Sequence, residues 1–184
     1  MPRNKIQHGE LELFPYTIQD GIPSMSDSYI MALYDIMEAQ HQLRWVFFSG
    51  GVGNRKEFRD YIKSAGKFAN MMQSRPPFWV IVDHDTLNPH GHILLTDCKA
   101  KSAYIHFCFF RCNDKARYTA KFFKEILNIM NYDVLLGFTP ATNVRINKFA
   151  DSVPGLARAT MIPNAAWDNE KKESVDAVLY YFLR

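Results

Sequence analysis

Residues 103–150 limit the fold more than any other stretch. They read as an apolar strand, AYIHFCFFR, ending at Arg111, then a polar loop and an amphipathic helix from Lys115 to Met130. A second apolar strand, DVLLGFTP, and a helix opened by Asn143 follow. The first helix places Tyr118, Phe122, Phe123, Ile126, Leu127 and Met130 on one side at the helical period. DVLLGF is apolar at successive positions, the pattern of a central strand buried on both faces. Strand, helix and buried strand in that order predict a parallel pair joined by a right-handed crossover. A helix that starts beside the end of a buried strand also aims its first backbone N–H groups at one point, which can hold an anion.

Around this block the rest of the chain fits one domain over residues 1–184, with residues 1–25 as an N-terminal arm. The arm carries Pro15, Gly21 and Pro23, and LELFPYTI within it can add an edge strand. Ser26 or Asp27 can cap a helix bearing Ile30, Leu33, Tyr34 and Met37. Residues 44–48 (RWVFF) form a short apolar segment, broken by SGGVGN. Asn54 and Glu57 resemble a capping box for a helix reaching about Gln73, where Pro76-Pro77 forbids continuation. FWVIVD (78–83) and HILLTD (92–97) flank turn residues, and with AYIHFCFFR they predict an antiparallel meander. LARATMI (156–162) and DAVLYYFLR (176–184) are the last two strands, joined by a polar stretch containing Trp167.

Composition narrows the class. A chain of 184 residues, 47% hydrophobic and 14% aromatic, is long enough to bury about 70% of its unfolded surface. The net charge is +3, with Lys and Arg scattered rather than clustered, so no nucleic-acid footprint is expected. Cys98, Cys108 and Cys112 leave one thiol over in any disulfide scheme, which favours a reducing compartment. No apolar run approaches the ~20 residues needed to cross a bilayer. The N-terminus lacks the apolar core of a signal peptide. A cytoplasmic protein without membrane association is expected.

The order helix, helix, three antiparallel strands, helix, strand, helix, two strands resembles that of the GNAT N-acetyltransferases over residues 26–184. The local match is IHFCFF, a polar loop, a helix, and DVLLGFTPATN with its Asn-capped helix. The resemblance implies an α/β (α+β) fold. Its mixed sheet would have an antiparallel meander, a central parallel strand pair and about four helices. It also implies acetyl-CoA as cofactor, with pantetheine slotted beside the strand that ends at Phe109, Phe110 and Arg111. The family's pyrophosphate loop, Q/R-x-x-G-x-G/A, falls best on Lys115, Ala116, Arg117, Tyr118, Thr119 and Ala120. Lys115 stands at the Gln/Arg position, Ala120 at the last Gly/Ala, and Tyr118 replaces the central glycine, where a bulky ring can obstruct a phosphate. Lys115 and Arg117 are either phosphate partners or solvated charges in a first helical turn. Asn143 matches the helix-opening Asn of the family and is equally a plain helix cap.

The chemistry needs a base for the ammonium group of the acceptor. Where one branch of the family has a Glu, the register set by Phe107-Cys108 puts Tyr104, whose ordinary pKa of about 10 suits a base poorly. His106 shares the strand face of Tyr104 and has a better-placed pKa; its bland reading is a hydrogen-bonded core histidine. Where the family often has an acid Tyr, counting from Gly155 reaches Asp151 and counting from Asn143 reaches Ala150, neither of them Tyr. Tyr180 and Tyr181 on the last strand could substitute for that acid, although packing is the ordinary role of paired strand aromatics.

Two other patterns have simpler explanations. His84, His90 and His92 with Asp83 and Asp85 could suit a transition metal, but such a loop is also just a turn, and no metal is assigned. SGGVGN lacks the Gly-Lys-Ser/Thr ending of a phosphate loop and reads as a connector.

The resemblance therefore implies direct acetyl transfer to an unidentified amine on a small molecule or peptide. The alternative is a catalytically inactive structural or interaction protein, since degenerate domains of this type occur among phage and prophage proteins. A homodimer or a virion partner fits that second reading.

Overall fold

In the computed structural model the residues described are 6–8, 11–46, 52–71, 77–110, 114–168 and 171–184. The strands are β1 (Ile6–His8), β2 (Leu11–Pro15), β3 (Ile18–Gln19), β4 (Ile22–Pro23), β5 (Phe78–Asp83), β6 (Pro89–Lys99), β7 (Ser102–Phe109), β8 (Val134–Pro140), β9 (Leu156–Asp168) and β10 (Glu173–Leu183). The helices are α1 (Asp27–Ala39), α2 (Leu43–Val46), α3 (Arg55–Met71), α4 (Lys115–Met130) and α5 (Val144–Ser152). An eight-stranded sheet runs in the order β1-β2-β5-β6-β7-β8-β10-β9. The β7–β8 pair is parallel, as the strand–helix–strand order requires. No helix among the described residues is long and apolar enough to cross a membrane.

The chain divides into two compact units. The first comprises Met1–His41, Val52–Leu95 and Phe107–Cys112. Here Ser26 caps α1, its hydroxyl accepting from Tyr29 N at 3.1 Å, and Ile30, Leu33, Tyr34 and Met37 are buried. The capping box at α3 is reciprocal. Asn54 Oδ1 accepts from Lys56 N and Glu57 N, while the Glu57 carboxylate accepts from Gly53 N at 2.6 Å and Asn54 Nδ2 at 2.7 Å. Lys63 on α3 donates to both carboxylate oxygens of Asp27 on α1, at 3.0 and 3.1 Å. Residues Phe78–Val82 of β5 are buried without alternation, as expected of a strand covered on both faces.

Two expectations change in this unit. LELFP does form a strand, but β1 pairs outside it, with Ile6 opposite Leu13, so β2 is interior rather than an edge. Strand β6 begins at Pro89, three residues before the apolar run, because Pro89 already pairs with Val82 of β5, with a register shift before Ile81↔Gly91. A Cβ placed on Gly91 would lie 2.2 Å from the Cys108 carbonyl oxygen.

The second unit comprises Gln42–Gly51, Thr96–His106 and Asn113–Arg184. Its RWVFF segment, expected only as a short apolar segment, overlaps the four-residue turn α2; residues 47–51 lie outside the described residues. So short an apolar run has no period from which to tell helix from strand. Helix α4 buries Phe122, Phe123, Ile126, Leu127 and Met130. It ends at Asn131, whose left-handed backbone (φ 53°) lets Tyr132 N donate to Leu127 O at 2.9 Å. Strand β8 is flanked by β7 and, antiparallel, by β10 from Val134↔Leu183 to Pro140↔Ala177.

The last hairpin is longer than expected, because the polar stretch with Trp167 is strand on both sides. Pro163-Asn164 suggests a turn, but it forms a bulge. Asn164 takes φ 52°, and its N–H donates to Asp176 Oδ1 at 3.1 Å while pairing resumes at Ala166↔Val175.

Candidate functional site

The second unit contains the N-terminal turn of α4, the end of β8 and the start of α5. The β7–β8 ladder registers Ser102↔Val134, Ala103↔Leu135 and Tyr104↔Leu136. Ile105 and Gly137 follow without a registered pair, although Gly137 stays beside Ile105, with room for a Cβ 3.9 Å from its carbonyl oxygen.

Helix α4 opens differently from α1, α3 and α5. Asp114 at its N-cap has a left-handed backbone (φ 52°) and makes no side-chain capping bond. The first turn carries Lys115 and Arg117 and no acid, so cations stand at the positive end of the helix dipole. Lys115 and Ala116 are half-buried, Arg117 is exposed, and Ala120 is half-buried. Thr119 is buried, its hydroxyl donating back to Lys115 O at 2.7 Å. The Tyr118 ring stacks along the helix on Phe122, with centroids 6.2 Å apart and planes 22° apart.

At α5, Asn143 is buried and caps the helix, Oδ1 accepting from Ile146 N at 3.2 Å. Its Nδ2 is buried with no hydrogen-bond partner among the described residues. One turn on, buried Asn147 donates from Nδ2 to Pro140 O at 3.1 Å and Asn143 O at 3.0 Å. Asn147 Oδ1 faces the Tyr180 hydroxyl at 3.1 Å. The same hydroxyl lies 3.1 Å from Asp151 Oδ1 and accepts from Arg158 Nη2 at 3.3 Å. Arg158 and Asp151 are 3.7 Å apart and half-exposed. Burial is the largest influence on Tyr180 and raises its pKa, Arg158 opposing and Asp151 adding to the shift.

The residues expected to be catalytic do not converge. Tyr104 stacks on Phe138 at 5.3 Å. His106 Nε2 is 3.0 Å from Thr96 Oγ1, and its pKa is lowered, mainly by burial, with Asp97 pulling the other way. Asp151 is engaged by Tyr180 and Arg158. No hydrogen bond joins any two of these three among the described residues. Phe109 and Phe110 are buried in the first unit, and Arg111 lies outside the described residues.

The first unit also holds the histidines of the 84–92 segment. His84 Nδ1 is 3.2 Å from Oε2 of Glu12, a carboxylate fully buried on β2. His92 is buried among Phe58, Phe78 and Phe110 at 5.7 to 6.4 Å between ring centroids. No group of three or more possible metal ligands occurs among the described residues.

Sequence reasoning missed the Asn147–Tyr180 link and the burial of Glu12. A signal existed for the first: Asn147 falls one turn after Asn143, on the helix face that also carries Ala150. Glu12 gave none, because Leu-Glu-Leu reads as ordinary alternation.

No protein-family model matches the sequence, and no curated protein matches it. Solved structures match along nearly the whole chain. A GNAT-family acetyltransferase from Bacillus anthracis aligns with TM-score 0.71 at 11% identity, over 97% of this chain and 98% of that one. An acetyl transferase from Salmonella typhimurium, which modifies the N-terminal serine of ribosomal protein L7/L12, gives 0.72 at 11%, over 96% of each chain. A ribosomal L7/L12 α-N-protein acetyltransferase in complex with coenzyme A gives 0.72 at 13%, over 98% of each chain. With strand order, crossover and end-to-end coverage in agreement, the chain has the fold of the GNAT N-acetyltransferases.

Proposed function

We propose that the protein is an acetyl-CoA-dependent N-acetyltransferase that transfers acetyl directly to an amine on a small molecule or peptide. The observation that carries this reading is the first turn of α4, which has no side-chain cap and bears Lys115 and Arg117. Backbone N–H groups at such a helix start favour an anion, and the two cations can form charge-assisted bonds to phosphate oxygens. In this reading the Lys115–Ala120 segment receives the pyrophosphate. The family resemblance assigns Phe109, Phe110 and Arg111 to the pantetheine side; β7 ends at Phe109, not at Arg111 as expected, and Arg111 lies outside the described residues. Asn143 offers its unpartnered buried amide to the cofactor. Tyr118, standing where the family motif has glycine, is stacked on Phe122 along the helix, which supports access to the first amides.

His106 is the better base among the three catalytic candidates. Its lowered pKa keeps it neutral, and so able to accept a proton, at physiological pH. Tyr104, packed on Phe138, and Asp151, held by Tyr180 and Arg158 at the position where the family often has its acid, are given no proton-transfer step.

A second reading is a catalytically inactive GNAT-fold structural or interaction protein. It is favoured by the engagement of His106 with Thr96, Tyr104 with Phe138, and Asp151 with Tyr180 and Arg158. Amine acetylation assays with a panel of peptides and polyamines separate the two. Turnover on any amine refutes the second reading. Acetyl-CoA binding without turnover, lost in His106→Ala or not, supports it.

A further inference from the structure

The polar groups under α5 form a chain whose proton count does not close. Tyr180 has one hydroxyl proton and two acceptors at equal distance, Asn147 Oδ1 and Asp151 Oδ1, both at 3.1 Å. Arg158 donates to the phenol oxygen, so that oxygen is already used as an acceptor. Only one of the two carboxamide and carboxylate acceptors can hold the proton at a time. Asn147 in turn spends both amide hydrogens on the β8–α5 turn, at Pro140 O and Asn143 O, with Ala141 O at 3.4 Å. That turn carries Asn143, whose Oδ1 is fixed by the helix cap and whose Nδ2 is buried and unpartnered. A buried amide donor without an acceptor costs about 1–3 kcal/mol. It persists where the surroundings over-determine its position.

We propose that Tyr180 and Asn147 are positioning residues. They lock the β8–α5 turn so that the Asn143 amide is presented to a ligand acceptor, and the half-exposed Asp151–Arg158 pair sets how much of the Tyr180 proton Asn147 receives. The inference rests on the acetyl-CoA reading above for the identity of that ligand. The lock itself is a property of the free chain. It predicts that the Ile146 amide, held by Asn143 Oδ1, exchanges slowly because of a hydroxyl on β10, far away in sequence.

The test uses the full chain and the variants Tyr180→Phe, Asn147→Ala, the double variant, and Tyr181→Phe as a control on the neighbouring strand position. Hydrogen exchange at residues 143–147 is read without ligand, and acetyl-CoA binding is read by calorimetry. Tyr180→Phe should speed exchange at Ile146 about five-fold and weaken acetyl-CoA binding about five-fold, the loss of one ordinary hydrogen bond. The double variant should be no worse than Asn147→Ala, because the two side chains act as one unit. Tyr181→Phe should change neither. If Tyr180→Phe folds and leaves Ile146 exchange unchanged, the positioning role is wrong. If exchange responds but the wild type binds no acetyl-CoA, the lock stands and the acetyl-CoA reading falls. If wild type and Tyr180→Phe bind acetyl-CoA equally, the ligand-directed part of the proposal is overturned.

Discussion

Gly91→Ala is a sharp steric test of how the first unit is assembled. The Cβ of an alanine there would sit 2.2 Å from the Cys108 carbonyl oxygen, 3.1 Å from Phe109 Cα and 3.2 Å from Cys108 C. All three are backbone atoms, so no rotamer change relieves the contact. Normal separation requires β6 and β7 to move apart by about 1 Å, which strains the bond from Phe110 N to His90 O, 2.8 Å long. Overpacking of this kind costs about 1–3 kcal/mol when side chains can yield, and a backbone clash belongs at or beyond the upper end. We expect about 3 kcal/mol. At about 2–4 °C per kcal/mol for a chain this long, that is a drop of roughly 6–12 °C in Tm. Gly137→Ala is the matched control on β8. Its Cβ would meet only Ile105, at 3.9 Å, which is ordinary contact. Reduced unfolded-chain entropy should leave that variant unchanged or more stable by about 0.4–1 kcal/mol. Urea and thermal unfolding of both variants are the assay. Equal stability of the two would refute the close approach of β6 and β7.

Three further outcomes follow from the same geometry. His106 has a folded pKa below its ordinary value, so the unfolded chain binds the proton more readily. Its contribution to stability is therefore complete above about pH 6.5 and falls as pH drops through the window beneath it. Urea unfolding between pH 7.5 and 5 should show that loss, and His106→Gln should flatten it; an unchanged slope contradicts the assignment. Lys115→Ala and Arg117→Ala should each weaken acetyl-CoA binding about five-fold, less at high salt, in calorimetry at two ionic strengths. Glu12→Gln and His84→Ala should show a coupling energy of about 1 kcal/mol in a double-mutant cycle of unfolding, modest because His84 is half-exposed.

Elements with a strong period or an explicit cap were legible in the sequence. Helix α4 runs from Lys115 to Met130 as its apolar face implies, and Ser26, Asn54 and Asn143 cap the helices they precede. The parallel β7–β8 pair followed from connection rules rather than from composition. The hairpin over residues 156–183 was only half legible. Bulges at Asn164 and around Leu179-Tyr180 let polar residues remain in strand, and a two-residue alternation cannot register an inserted residue. The site was the least legible part. Asn147, Tyr180, Asp151 and Arg158 are drawn from a helix and two strands, so their meeting is a product of topology, and the only local sign of it is the one-turn spacing of Asn143 and Asn147. Glu12 is concealed for a different reason: it is buried on a strand paired on both sides, opposite Gln7 of β1 and Val82 of β5, and those partners are distant in sequence.

The central claim, that the start of α4 receives acetyl-CoA, is tested most directly by isothermal titration of the full chain with acetyl-CoA and with CoA. The account predicts saturable binding of both, weakened in Lys115→Ala and in Arg117→Ala. Absence of any binding heat up to millimolar ligand, with the chain folded, would contradict it.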